Sequence, residues 1–494
     1  MDSGFRPPDT MGGVGSDHIV ELINGRYSVY EKATGTRVQT SSLDQFWRDA
    51  GVNFSSFTFD PRLLYDPFSE RWFAASVDNA RRDNNFLLAV SNSSDPTAGW
   101  TGVAIDSDSR NQRWADYPTL GFDGDGVYLA ANMFPISGRG AFGLTTTIVA
   151  VPKNDLLAAT PTATIATELE NIISDATVPS EQPITNPQLA VPENELLPGT
   201  PTASIVPEDV LPAATSATVN ATLFENNSTS ITGFTVQPVV DLDNTGLPAA
   251  LLSSFRTSSG LFKRSNIIGD INSPTLDTSD GLISVEPFFS KSSAEQPGPK
   301  KNLEIANGSI FHGNVVLQNG AFWGVQTVNN AGRAALRWFQ IDATTNLLMQ
   351  EGLISDPNLD FYYGSIAVND FDDVVIGFSG SGENQFVSSY AALGQTSGGM
   401  TTFDTPLLLK EGVDDYQIGT GRNRWGDYSA TTIDPTDPFT FWTFQEFVSA
   451  ENRWSTQITE LKIASTTVPE PASVLGVLTF GAFGATSLKR KNKN

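Results

Sequence analysis

Apolar residues along this chain come in short blocks separated by Asp, Asn, Gly and Pro, and the blocks resemble one another. Tyr117-Pro118-Thr119-Leu120-Gly121-Phe122-Asp123 aligns with Asp60-Pro61-Arg62-Leu63-Leu64-Tyr65-Asp66, with Tyr363-Gly364-Ser365-Ile366-Ala367-Val368-Asn369 and with Tyr428-Ser429-Ala430-Thr431-Thr432-Ile433-Asp434. Hydrophobes stand at alternate positions, which is the period of a β-strand, and the closing Asp or Asn is a turn former. A second apolar run follows each copy after a few turn-forming residues: Arg71-Trp72-Phe73-Ala74-Ala75, Val127-Tyr128-Leu129-Ala130, Val374-Val375-Ile376-Gly377 and Phe441-Trp442-Thr443-Phe444. The pattern predicts strand, turn, strand, repeated along the chain.

Weaker copies begin at Met11, Gln237 and Gly313, ending in Asp17, Asp243 and Asn319. Successive starts then lie 49, 57, 120, 76, 50 and 65 residues apart. Most intervals are near the roughly 40–50 residues of a four-stranded propeller blade with a loop. The arrangement resembles a β-propeller of the broad sialidase-like sort. That resemblance implies an all-β body of seven blades, with six as the alternative count, over residues 16–463. Residues 1–15 are read as a flexible N-terminus. Within the longest interval, Val151-Pro152-Lys153-Asn154-Asp155-Leu156-Leu157 recurs as Val191-Pro192-Glu193-Asn194-Glu195-Leu196-Leu197, and residues 153–214 are rich in Ala, Thr and Pro. This reads as an insertion extruded from one blade, with too few aromatics to bury a core of its own.

Composition narrows the function. The net charge of −25 argues against nucleic acid and anionic lipid as partners. The absence of Cys excludes disulfides and thiolate metal sites, and the two histidines, His18 and His312, are too few for most zinc sites and read as strand-end residues. No cofactor is implied. Ca²⁺ is the one candidate ion, because Asp123 with Asp125 and Asp241 with Asp243 place carboxylates at alternate positions ahead of a Gly. All four sit at expected hairpin turns, where Asp is favoured for backbone reasons, and that reading is preferred.

Two copies share a longer word, Arg113-Trp114-Ala115-Asp116-Tyr117 and Arg424-Trp425-Gly426-Asp427-Tyr428. Placed just before an innermost strand, these residues would reach the rim of the central channel, where aromatic faces stack on sugar rings and Asp or Arg bonds their polar groups. The structural alternative, that Trp packs between blades while Asp caps a turn or pairs with Arg, is favoured by the recurrence itself. The Ser-x-Asp-x-Gly-x-x-Trp box of many sialidase blades is missing, as are a nucleophile elbow and a phosphate loop.

The end of the chain carries a different signal. Val468-Pro469-Glu470-Pro471 precedes an uncharged stretch, residues 472–488, then Lys489-Arg490-Lys491 and Lys493. A stretch of this length is just enough for one transmembrane helix with the basic end inside. The order of motif, span and cations resembles the PEP-CTERM sorting signal over residues 468–494, after a tether at 464–467. The resemblance implies an exosortase-type membrane protease as partner, transient anchoring in the inner membrane and delivery to the cell surface or extracellular matrix. Residues 1–15 hold no basic start followed by an apolar run, so the expectation is a true start upstream. The sequence-level reading is an exported propeller that binds or scaffolds matrix polysaccharide, with no assigned catalytic residue. The alternative is a secreted glycosidase or lyase at the channel. Acidic side chains converging with Arg in an open funnel would favour the enzyme; a channel plugged by apolar groups would favour the module.

Overall fold

The computed structural model describes residues 3–158, 164–168, 219–279, 281–305, 310–418 and 421–464. The sorting signal, its membrane span and most of the 153–214 insertion lie outside these residues. Among the described residues no helix is long and apolar enough to cross a membrane.

Strands dominate, and they form successive antiparallel meanders. Met11–Val14, His18–Ile23, Arg26–Glu31 and Arg37–Ser41 make the first sheet, and Thr58–Asp66, Arg71–Asp78, Asn85–Ser91 and Trp100–Asp106 the next. A ten-stranded sheet contains two meanders, one starting at Arg113–Phe122 and the other at Val316–Gln318. They are joined by Val240–Asp241, which runs parallel to both. A five-stranded sheet starts at Gln237–Pro238, another at Asp360–Val368, and a three-stranded sheet of Ala430–Asp434, Asp437–Ala450 and Arg453–Lys462 comes last. The first strand of each meander packs on the first strand of the next, except that Val240–Asp241 makes the link from Gln237–Pro238 to Val316–Gln318, and Ala430–Asp434 packs on Met11–Val14. The ring is therefore closed, which makes the body a β-propeller.

Burial follows position in the ring. Asp360–Val368 and Val374–Gly382 are buried throughout, because neighbouring sheets cover both faces, whereas the outer strand Arg37–Ser41 is largely exposed. Close approach of inner strands explains Gly121, whose side chain would have met Pro238 O at 2.6 Å, and Gly12, where the ring of Phe444 leaves no room. The repeated Asp or Asn caps the first turn of its meander. Asp66 Oδ1 accepts the Phe68 N–H, Asp123 Oδ1 those of Asp125 and Gly126, and Asp434 Oδ1 that of Thr436.

Three sequence expectations are corrected. Residues 11–14 of the supposedly flexible N-terminus are an innermost strand, and Asp9 and Thr10 before it are fully buried. The copy begun at Gln237 is two residues out of register: Val240 pairs with Phe122, which puts Asp241 rather than Asp243 in the place of Asp123. The insertion is not all loop, since Lys153–Leu157 is helical and Thr164–Glu168 pairs parallel with Asn220–Ser228.

Candidate functional site

The first position of the repeated word is where the propeller departs from regular strand. Asp60, Tyr117 and Tyr363 have φ of 53°, 56° and 54°, and each lies at a bulge that gives the inner strand one residue more than its partner. Asp9 and Thr235 take the same left-handed conformation at 50° and 53°. A non-glycine residue held this way costs about 1–3 kcal/mol, and such strain clusters at functional sites. A side chain of the preceding sheet accepts the N–H of four of these five residues. Asn24 Oδ1 accepts from Asp60 at 2.8 Å, Asp60 Oδ2 from Tyr117 at 3.0 Å, Asn132 Oδ1 from Thr235 at 2.8 Å and Thr327 Oγ1 from Tyr363 at 3.2 Å.

All five strained residues line one cavity of about 120 Å³ at this end of the channel. Asp9, Asp60, Asp116 and Asp427 converge in it with Arg424, and Phe57, Phe59, Trp114 and Phe134 form an apolar wall. Arg424 pairs with Asp427, Nη2 to Oδ2 at 2.5 Å. Burial, then the charge of Asp427, holds the Asp9 carboxyl well above the usual range. Asp60 is raised by the same two causes in the same order, and Asp116 well above its ordinary value by burial and then by Asp60. Behind the cavity, burial and then Asp427 push Glu446 up to about 8. Burial and mutual repulsion therefore favour the protonated forms of these carboxyls more than water does.

The floor is polar and closed. Arg62, 1% exposed, gives Nε–H to Pro118 O at 2.6 Å and lies 3.5 Å from the centre of the Tyr428 ring. His312 Nδ1 stands 3.2 Å from Asp427 O, and burial lowers its pKa to about 3, so the ring is neutral. Beyond Arg62 the later positions of the words line a separate cavity of about 410 Å³ at the opposite end, walled mainly by apolar residues such as Val14, Leu63, Val316 and Ile366.

Of the eight polar or aromatic residues in the two longer words, Trp114, Asp116, Tyr117, Arg424 and Asp427 line the cavity. The other three do not. Arg113 donates to Phe142 O and Gly143 O, Trp425 is wholly buried against Tyr416, and Tyr428 is sealed against Arg62. The words therefore supply both cavity-lining side chains and side chains packed away from the cavity. Asp123 Oδ1 and Asp241 Oδ1 accept amides of their own turns, Asp123 Oδ2 accepts the Tyr128 hydroxyl, and Asp243 accepts the amides of Asn319 and Gly320. Asp125 gives its N–H to Asp123 in the same turn. Among the described residues no cluster of three metal-ligating side chains occurs. His18 opens its strand, as expected, 3.8 Å from Asp95, but His312 belongs to the cavity floor rather than to a strand end. Asp9, Asp60, Asn24 and Tyr363 were not singled out from the sequence. The available signal was the polar or aromatic first letter of the word, followed by Pro or Gly, where strand propensity alone favours neither.

No family model matches the chain, and no curated protein matches it in sequence. Solved structures are similar at low scores. A Dyadobacter fermentans protein of unknown function has a TM-score of 0.38 at 10% identity, over 93% of this chain and 96% of that one. A Trypanosoma rangeli sialidase in complex with the inhibitor DANA has 0.35 at 10% identity, over 97% of this chain and 60% of the sialidase. An α-L-arabinofuranosidase from Fusarium graminearum has 0.36 at 8%, over 93% and 95%.

Proposed function

We propose that the protein is a carbohydrate-active propeller that hydrolyses glycosidic bonds at the cavity. The observation that carries this is the convergence of Asp116, from the strand Arg113–Phe122, and Asp427, from the segment before Ala430–Asp434, with Arg424 in one open, aromatic-walled cavity. Acidic groups converging with Arg were the arrangement that separates an enzyme from a scaffold. Asp116 is half-buried, and burial and then the Asp60 charge favour its protonated form, so it is suited to give a proton to the leaving glycosidic oxygen as the C–O bond breaks. Asp427, ion-paired to Arg424, is suited to take the proton of the water that adds to the anomeric carbon. Trp114 and the phenylalanines beside it supply faces for the sugar ring. Counting the ten-stranded sheet as two blades supports a seven-bladed body around this site.

The sorting motif Val468-Pro469-Glu470-Pro471 supports export, processing by a membrane protease and action at the cell surface on extracellular polysaccharide. The test is release of new reducing ends from a panel of polysaccharides by the purified protein. Binding to the panel without any release would leave the scaffold reading in its place.

A further inference from the structure

Asn24 lies in the Asn-Gly turn between His18–Ile23 and Arg26–Glu31, a position that turn preference alone would explain. Its side chain does more. Oδ1 accepts the Asp60 N–H at 2.8 Å, while Nδ2 donates to Asp9 Oδ2 and, at 3.2 Å, to Pro7 O. A peptide N–H can only donate and a peptide carbonyl can only accept, so these two partners fix which way the amide points. The backbone joins in: Asn24 N–H donates to Pro8 O at 2.8 Å, and Asn24 O accepts from Ser3 Oγ. One residue, 6% exposed, thus ties the segment that carries Asp9 to the bulge that carries Asp60.

We propose that Asn24 is the positioning residue of the cavity, fixing how the Asp9 and Asp60 carboxyls are oriented and how they share protons. Its consequence for turnover rests on the hydrolytic reading above; its structural content does not. Nδ2 occupies Asp9 Oδ2, and the Tyr117 N–H occupies Asp60 Oδ2. The second oxygen of Asp9 is buried without a partner, so it is the atom left to carry or receive a proton. The titratable groups acting on Asp9 are Asp427, Asp60, Arg424 and Glu446; Asp427 and Arg424 act on Asp60, which in turn acts on Asp116. A donor held on Asp9 favours its ionised form, and loss of that donor favours the protonated one.

Asn24→Asp separates the two bonds. It keeps an acceptor for the Asp60 N–H and replaces the donor by an oxygen facing Asp9 Oδ2 and Pro7 O, both acceptors. That oxygen must take up a proton to fit. Infrared spectra of the full chain at pH 7 should gain one carboxylic-acid C=O band relative to the parent, and the thermal midpoint should fall more steeply as pH rises from 5 to 9. Asn24→Ser, which deletes both bonds without adding a charge, should alter the parent's carboxylic-acid band with no new group. Where turnover is measurable, Asn24→Asp should move a limb of the pH–rate profile by about one unit, an effect that loss of stability alone does not produce. Unchanged carboxyl bands in both variants overturn the proposal. Absence of hydrolysis by the parent overturns the hydrolytic reading instead, while the infrared result still decides the role of Asn24.

Discussion

Replacing Glu446 by Gln should remove much of the pH dependence of this protein's stability. Glu446 lies in the middle of Asp437–Ala450 and is 2% exposed. Its Oε1 accepts the Thr10 hydroxyl at 2.8 Å, and Gly426 lies so close that a Cβ there would come 2.4 Å from Oε2. Burial and then the Asp427 charge raise its pKa from 4.5 to about 8. The folded protein therefore keeps this proton through a range where the unfolded chain has lost it. Stability falls as pH rises from the unfolded value toward the folded one, then levels off. At about 1.4 kcal/mol per unit, the ceiling of that loss is on the order of 5 kcal/mol, reduced by any local relaxation that lets water in. Gln keeps a carbonyl for the Thr10 hydroxyl and cannot ionise. Urea unfolding of parent and Glu446→Gln at pH 5 and pH 9 measures the difference directly. The variant should gain several kcal/mol on the parent between the two pH values. Parallel pH curves would show that Glu446 ionises freely in the fold and that the barrier to charge behind the cavity is not there.

Asp427→Asn should change the thermal midpoint by only a few degrees: Arg424 keeps Asp9 nearby, and removing one charge relieves repulsion on Asp9, Asp60 and Glu446. A loss as large as the 3–5 kcal/mol typical of an orphaned buried charge would mean the pair is blade packing instead. Trp425→Ala, which empties a fully buried site against Tyr416, should cost about 3–5 kcal/mol and lower the midpoint by many degrees; a near-neutral result would contradict its assignment to packing. Changing Pro469, Glu470 and Pro471 to Ala should leave an uncut, membrane-bound form in the native host, seen as a higher mass; equal masses and equal release into the medium would make the tail a plain anchor.

The fold was legible where local chemistry and ring position agree. Phe122, Val368 and Ile433 alternate ahead of an Asp or Asn that caps its own turn, so strand and turn could be read together. The site was legible only through its repeated half. Asp116 and Asp427 stood out because the word recurs, but so did Trp425 and Tyr428, which packing requires. Asp60 was visible only as the first letter of an alignment, since nothing in Asp60-Pro61 announces a left-handed bulge aimed at the axis. Asp9 sits in a stretch without alternation, and its burial depends on bonds to Asn24, distant in sequence. Asn24 itself is masked by the Asn-Gly turn that would place it there in any hairpin. Such roles arise from ring closure, a long-range event with no local signature.

The most direct test of the account is the hydrolytic rate of Asp116→Asn on whichever polysaccharide the parent cleaves. Asn fills the space of Asp116 and cannot deliver a proton, so turnover should fall by about 10²–10⁴-fold while polysaccharide binding and the thermal midpoint stay near those of the parent. Cleavage at the parent's rate by Asp116→Asn, or binding by the parent with no cleavage of any polysaccharide, would contradict the claim that this cavity is a catalytic site.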